Sequence, residues 1–193
     1  MNLLTDRLPE RVKVGRSIFE LNTDFRAGVS FELMAEAGET DYKKLLRPFF
    51  DEIPKDIAGA LEAALWFYRC GQEPEEKVEK KANKQAYSFS ADSEAIIADF
   101  RHFYSVDISS SNMHWWTFRA LLLGLPEDSN FKQRIYYRTC DTKDLPKKEK
   151  QRVLRIRKRI KINKETGGKK MTLEERNQAM KDYIARRSAE LRG

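Results

Sequence analysis

Residues 112–125, NMHWWTFRALLLGL, constrain this chain more than any other stretch, because their apolar side chains run almost all the way round a helix. Trp115, Phe118, Leu122 and Leu125 form one stripe at helical spacing, and Met113, Trp116, Ala120 and Leu123 repeat the same offsets further round. Such a helix is expected to be buried on two sides, as the central strut of a small helical domain. Trp115, Trp116, Phe118 and Leu122 are the expected structural core, and His114, Thr117 and Arg119 are left as polar positions.

The N-terminal segment RVKVGRSIFEL (residues 11–21) reads as a β-hairpin. Gly15-Arg16 fits a two-residue turn, and pairing Val14 with Ser17 sets Val12, Val14, Phe19 and Leu21 on one face. A helix is expected from the caps Asn22 and Thr23 to about Ala37, stopped by Gly38. A second is expected over Asp41 to Phe50, burying Tyr42, Leu45, Leu46 and Phe49. A third follows Pro54, with Ile57, Leu61, Ala64 and Tyr68 on one stripe, Trp66 off it and Gly71 at its end. Residues 72–85, QEPEEKVEKKANKQ, form a charged linker or loop. A short strand is expected at Tyr87 to Phe89, then a helix capped by Ser90 and running from Ala91 to Tyr104 with Ile96, Phe100 and Phe103 inward. Another helix spans Glu127 to Thr139.

The formal net charge of +7 is unevenly spread. From Asp141 onward there are 18 Lys/Arg and 8 Asp/Glu, so residues 1–140 are slightly acidic and the basicity belongs to the C-terminal part. Two helices are expected there, Pro146 to Ile162 and Thr172 to Leu191, separated by Gly167-Gly168. Their apolar stripes are sparse, with Val153, Ile156 and Ile160 on the first and Leu173, Met180, Ile184 and Leu191 on the second. Val153, Ile156, Ile160, Met180, Ile184 and Leu191 are therefore candidates for binding a partner, and they would equally suit packing within the chain. The candidate basic patch comprises Lys147, Lys148, Arg152, Arg155, Arg157, Lys158, Arg159 and Lys161. It could neutralise phosphates, but it lacks interleaved aromatics and any helix-turn-helix or zinc-finger pattern, so nucleic-acid binding through it would be unspecific.

No constellation for catalysis stands out. GGKKMT at Gly167 lacks the upstream glycine and the preceding strand of a phosphate-binding loop, and Ser109 to Ser111 lack the strand–turn–helix setting of a hydrolase nucleophile. His114 beside two tryptophans has no identifiable Cys, Ser or Asp partner and is expected to bond a backbone carbonyl. Cys70 and Cys140 are expected to be free thiols, and with His102 and His114 they make no zinc set. No catalytic, cofactor-binding or metal-binding residue is therefore assigned. No apolar run reaches the roughly 20 residues needed to span a bilayer, and the segment MNLLTDRLPE has no secretory pattern, so no membrane association is expected.

The order of segments resembles the gene-product-fifteen family of tailed phages and prophages of Gram-positive bacteria. The resemblance runs from LLTDRLPERVKVGRSIFELNTDFR through ALWFYRCGQEPEE, YSFSADSEAIIADFRHFYSVDI and HWWTFRALLLGL to FKQRIYYRTCD, covering roughly residues 3–141. Its most specific pieces are NTDFR at 22–26, FYRCG at 67–71 and HWW at 114–116. The family implies a small non-enzymatic protein of the tail morphogenesis module, typically encoded ahead of the tape-measure gene. That implies a tail assembly chaperone that binds the tape-measure protein, the tail-tube protein or both, in the host cytoplasm, and is absent from the mature virion. Motif positions such as Asp24, Arg26, His114, Trp115, Trp116 and Arg119 could equally hold the fold together.

The sequence thus points to a mostly α protein: a compact helical core domain with a small N-terminal β-hairpin (residues 1–140) and a basic helical C-terminal extension (141–193). The expected function is that of a phage tail assembly chaperone without a cofactor. The alternative is a nucleic-acid-binding or packaging accessory protein acting through the basic extension; self-association is left open.

Overall fold

A computed structural model of the chain describes residues 4–73 and 85–162. These divide into two compact units, residues 4–73 with 113–118 and residues 85–112 with 119–162. Most of the expected linker (residues 74–84) and the whole of the second basic helix, with Gly167-Gly168, Met180, Ile184 and Leu191, lie outside the described residues. The described residues are mostly helical, with seven helices and one two-stranded sheet.

The first unit opens with β1 (Arg11–Val14) and β2 (Ser17–Glu20), antiparallel, with Val14 opposite Ser17 and Val12 opposite Phe19. Gly15 at the turn has φ +59°, a left-handed conformation that glycine adopts without a Cβ clash. The register is the expected one; Val12, Val14 and Leu21 are buried, and Ile18, on the opposite face, is exposed.

Helix α1 (Phe25–Ala37) ends as expected on Gly38, at φ +86°. Its N-cap is Asp24 rather than Asn22 or Thr23. The reason is local: Asp24 accepts from the Arg26 N–H, while the Asn22 side chain accepts from Asp24 itself. Helix α2 is limited to Tyr42–Leu46, shorter than expected, and Phe49 and Phe50 follow in a turn whose N–H groups both reach the Leu46 carbonyl. Proline at position 48 has no N–H with which to extend the helix. Leu45, Leu46, Phe49 and Phe50 are buried all the same. Helix α3 (Ile57–Tyr68), capped by Asp56, buries Leu61 and Ala64 from the expected stripe together with Ala60, Leu65 and Phe67. It ends on two successive left-handed residues, Cys70 and Gly71.

The second unit is built on α4 (Phe89–Tyr104), α6 (Asn130–Thr139) and α7 (Lys147–Arg159). No strand forms at Tyr87 to Phe89; Phe89 is the first residue of α4 and is buried, and Ser88, not Ser90, occupies the cap. Ser88 donates its N–H to the Asp92 carboxylate one turn on, so the helix start is fixed by a side chain inside it. Ser129 caps α6, which starts at Asn130, three residues later than the start expected at Glu127. Tyr104 donates its hydroxyl proton to the Leu121 carbonyl.

Helix α5 (Trp115–Leu123) begins in the first unit, and the chain continues into the second from Arg119. One expected stripe is buried at every position: Trp115, Phe118, Leu122 and Leu125. The second is not. Of its members only Trp116 is buried, while Ala120 is exposed and Leu123 is 62% exposed. Apolarity on two sides therefore overstated the burial of this helix, because isolated apolar side chains on a protein surface are common.

Candidate functional site

The three most specific blocks of the resemblance meet in the first unit. Residues 22–26 and 113–116 pair backbone to backbone: Phe25 N–H donates to the Met113 carbonyl and Trp115 N–H to the Thr23 carbonyl, each at 2.8 Å, around an antiparallel bridge between Asp24 and His114. The third block receives the tryptophan rings. Trp115 donates its indole N–H to the Tyr68 carbonyl at 2.9 Å, and Trp116 donates its own to the Phe67 carbonyl at 2.7 Å. These are carbonyls at the end of α3, where helix geometry leaves acceptors without intrahelical partners.

The tryptophan rings approach two glycines closely at this junction. The Trp115 ring stacks on Tyr68 and lies so close to Gly28 that a Cβ there would sit 2.4 Å from the indole. Gly71 combines φ +74° with a Trp116 ring atom 3.1 Å from where its Cβ would be. Trp66 meets Trp116 edge-on and is half-buried, so its position off the α3 stripe is explained by this contact. Buried Glu32 accepts the Tyr68 hydroxyl.

His114 is held from both sides. Its Nδ1 accepts the Trp116 N–H at 3.1 Å, which places the proton on Nε2, and that N–H donates to the Pro9 carbonyl at 3.1 Å. Burial pulls the imidazole below the ordinary histidine range, against the Pro9 carbonyl and Glu10, which favour its cation. Both ring nitrogens are thus engaged by backbone, the role expected of it. Asp24 and Arg26 also act locally, as cap and ion pair at 3.0 Å, with the Arg26 guanidinium 4.6 Å above the Phe25 ring.

The second unit contains a polar anchor that the sequence did not reveal. Asp92 on α4 is fully buried and takes two hydrogen bonds from Arg138 on α6, at 2.5 and 2.8 Å, one from Arg134 at 3.1 Å and one from Ser88 N–H. Burial alone would push this carboxyl up; the Arg138 guanidinium, the Ser88 N–H and Arg134 outweigh it and hold the group below the usual carboxylate range. Asp99, two turns further along the same face of α4, accepts from the N–H groups of Asn130 and Phe131 at the start of α6. The only sequence signal was an acid in the first turn of α4 for Asp92 and an acid among the apolar positions of its second half for Asp99, both too common to single out.

Two arginines then fasten α7 to α6. Arg138 donates through Nε to the Ile160 carbonyl at the end of α7, and Arg157 of α7 donates to the Tyr137 and Cys140 carbonyls at the end of α6, all at 2.8 or 2.9 Å. Each helix supplies a cation to the carbonyl end of the other, where the helix dipole favours positive charge. Arg157, expected in the basic patch, is half-buried and bonded to these carbonyls instead of lying with the exposed cations. Of the candidate partner-binding residues among the described residues, Val153 is buried and Ile156 and Ile160 are half-buried, so this stripe packs inside the unit. Lys147, Lys148, Arg152, Arg155, Lys158, Arg159 and Lys161 remain exposed.

Beside β1 and the start of α3 lies an open cleft of about 530 Å³, lined by Arg11, Lys13, Asp56, Glu62 and Trp66 among others. Among the described residues no cluster of His, Cys, Asp or Glu could hold a metal ion, both cysteines are free thiols, and no helix is long and apolar enough to cross a membrane.

No curated protein and no solved structure matches the chain. A family model described as Bacteriophage Gp15 protein matches residues 4–162, a span that takes in all of the described residues, including α7. With its three most specific blocks joined in one packed junction and the match running across both units, the chain belongs to the Bacteriophage Gp15 protein family.

Proposed function

We propose that this protein is a non-enzymatic tail assembly chaperone that binds the tape-measure protein, the tail-tube protein, or both, of its own phage. Family membership carries the reading: it makes this a bacteriophage protein and suggests a structural or morphogenetic role. What supports the non-enzymatic part is how the buried ionisable groups are engaged. His114 is bonded to backbone on both nitrogens, Asp92 is paired with two arginines, Asp99 caps a helix and Glu32 takes the Tyr68 hydroxyl. Each of these four groups is engaged in holding the fold.

A chaperone of this kind acts in the host cytoplasm by covering apolar helix faces that would otherwise drive aggregation, and it leaves before the virion is complete. Co-expression is expected to keep the tape-measure protein in the soluble fraction, and a phage lacking the gene is expected to make full heads and no tails. Normal tails from the deletion, or abundant copies of this protein in purified virions, would overturn the assignment.

A further inference from the structure

The outward face of α7 has no part in holding the second unit together. The helix carries eight Lys/Arg and one acid, Glu149. At about 100° per residue, Lys147, Lys148, Arg152, Arg155, Lys158 and Arg159 spread over roughly 140° of its surface, with Glu149 outside that arc. From first to last they cover about 18 Å of helix axis. Among the described residues no carboxylate pairs with any of the six. The support beneath them is fixed, because buried Val153 and the Arg157 and Arg138 bonds anchor the opposite face to α6.

We propose that this face of α7 binds the phosphate backbone of double-stranded DNA without regard to sequence. Its composition does not fit a protein interface, whose core is depleted in charge and enriched in aromatics. The arc holds no aromatic residue, and the single apolar side chain at its edge, Leu154, is only 46% exposed. Without aromatics there is also no stacking platform for a single strand. A duplex matches better. Its major groove, about 12 Å wide, admits an α-helix, and about 18 Å of duplex presents roughly five phosphates on each strand. Lys147 and Lys158 flank one side of the arc and Arg152 and Arg159 the other, so both strands bordering a groove are within their reach. The deep, narrow major groove of double-stranded RNA would not accept the same helix.

The inference is independent of the chaperone reading, and charge variants of this face are expected to leave tape-measure solubility unchanged. The test is fluorescence anisotropy of the full chain with a labelled DNA duplex of about two helical turns (roughly 21 base pairs). For four to six phosphate contacts, affinity is expected to fall about 10²- to 10³-fold between about 50 and 200 mM salt. Lys148→Glu with Arg155→Glu is expected to lower affinity at low salt at least about tenfold, given two lost phosphate contacts, with unchanged melting. Lys13→Glu with Lys43→Glu, the same charge change on exposed residues of the first unit, is expected to have a much smaller effect. Equal losses in the two variants would overturn the proposal, as would a log–log salt slope shallower than about −2 in the wild type. So would binding to polyglutamate or to phosphatidylserine vesicles as tight as to the duplex.

Discussion

Removing the Arg138 guanidinium would strand the carboxylate of Asp92 in a site with no exposure to water and only Arg134 and a backbone N–H to hold it. A buried ion left without its principal partner costs about 3–5 kcal/mol. Arg138→Ala is therefore expected to lower unfolding free energy by that order in denaturant titration, far more than Arg155→Ala on the exposed face. His114 gives a second residue-level expectation, in pH dependence. Its folded imidazole holds a proton less firmly than the unfolded chain does, so its contribution is complete above about pH 6.5 and declines as pH falls through that value. The melting temperature should fall between about pH 7 and 5, and His114→Gln should flatten that fall. An unchanged slope in the variant would mean that the titration lies elsewhere.

At the scale of elements, α5 separates apolar pattern from burial. Leu122 is buried and Leu123, its neighbour, faces solvent. Leu122→Ala is expected to cost about 2–5 kcal/mol, with the cavity left behind setting the value. Leu123→Ser should stay within about 0.5 kcal/mol. Comparable losses for the two would show that the second stripe is covered after all. Element ends were legible where the chemistry is local: the Gly15 turn, the Gly38 stop and the Gly71 terminus all follow from glycine at a left-handed position. Element starts were less so. Asn22, Thr23 and Asp24, or Ser88 and Ser90, are chemically similar cap residues a position or two apart, and the choice between them turns on single side-chain bonds, Asn22 taking the Asp24 N–H and Asp92 the Ser88 N–H.

At the scale of the whole molecule, the first unit is discontinuous: residues 4–73 are completed by 113–118 from beyond the second unit's first helix. Trp115, Trp116 and Phe118 fill space that α1 and α3 cannot fill by themselves, as the closeness of the Trp115 ring to Gly28 and the stacking of Phe118 on Phe25 make plain. A fragment ending at residue 73 is therefore expected to show no cooperative thermal transition, since it lacks three buried aromatic side chains worth about 3–5 kcal/mol each. Cooperative melting of that fragment would contradict the assignment of 113–118 to its core.

What the sequence alone determined were features whose cause lies within a few residues. These were the helical class, the hairpin and its Val14–Ser17 register, the stripe of Trp115, Phe118, Leu122 and Leu125, and the concentration of positive charge after residue 140. The family blocks were legible too, but not what they do. Only the tertiary structure showed that NTDFR, FYRCG and HWW form one junction, that Asp92 and Arg138 are partners, and that α7 turns Val153 and Arg157 inward and leaves six of its cations on the opposite face. The physical reason is that periodicity records which residues share a face, not what that face meets. The pairing of a carboxylate with a guanidinium 46 residues away, or of an indole N–H with the open end of a distant helix, is set by the need to satisfy buried polar groups once the chain has collapsed.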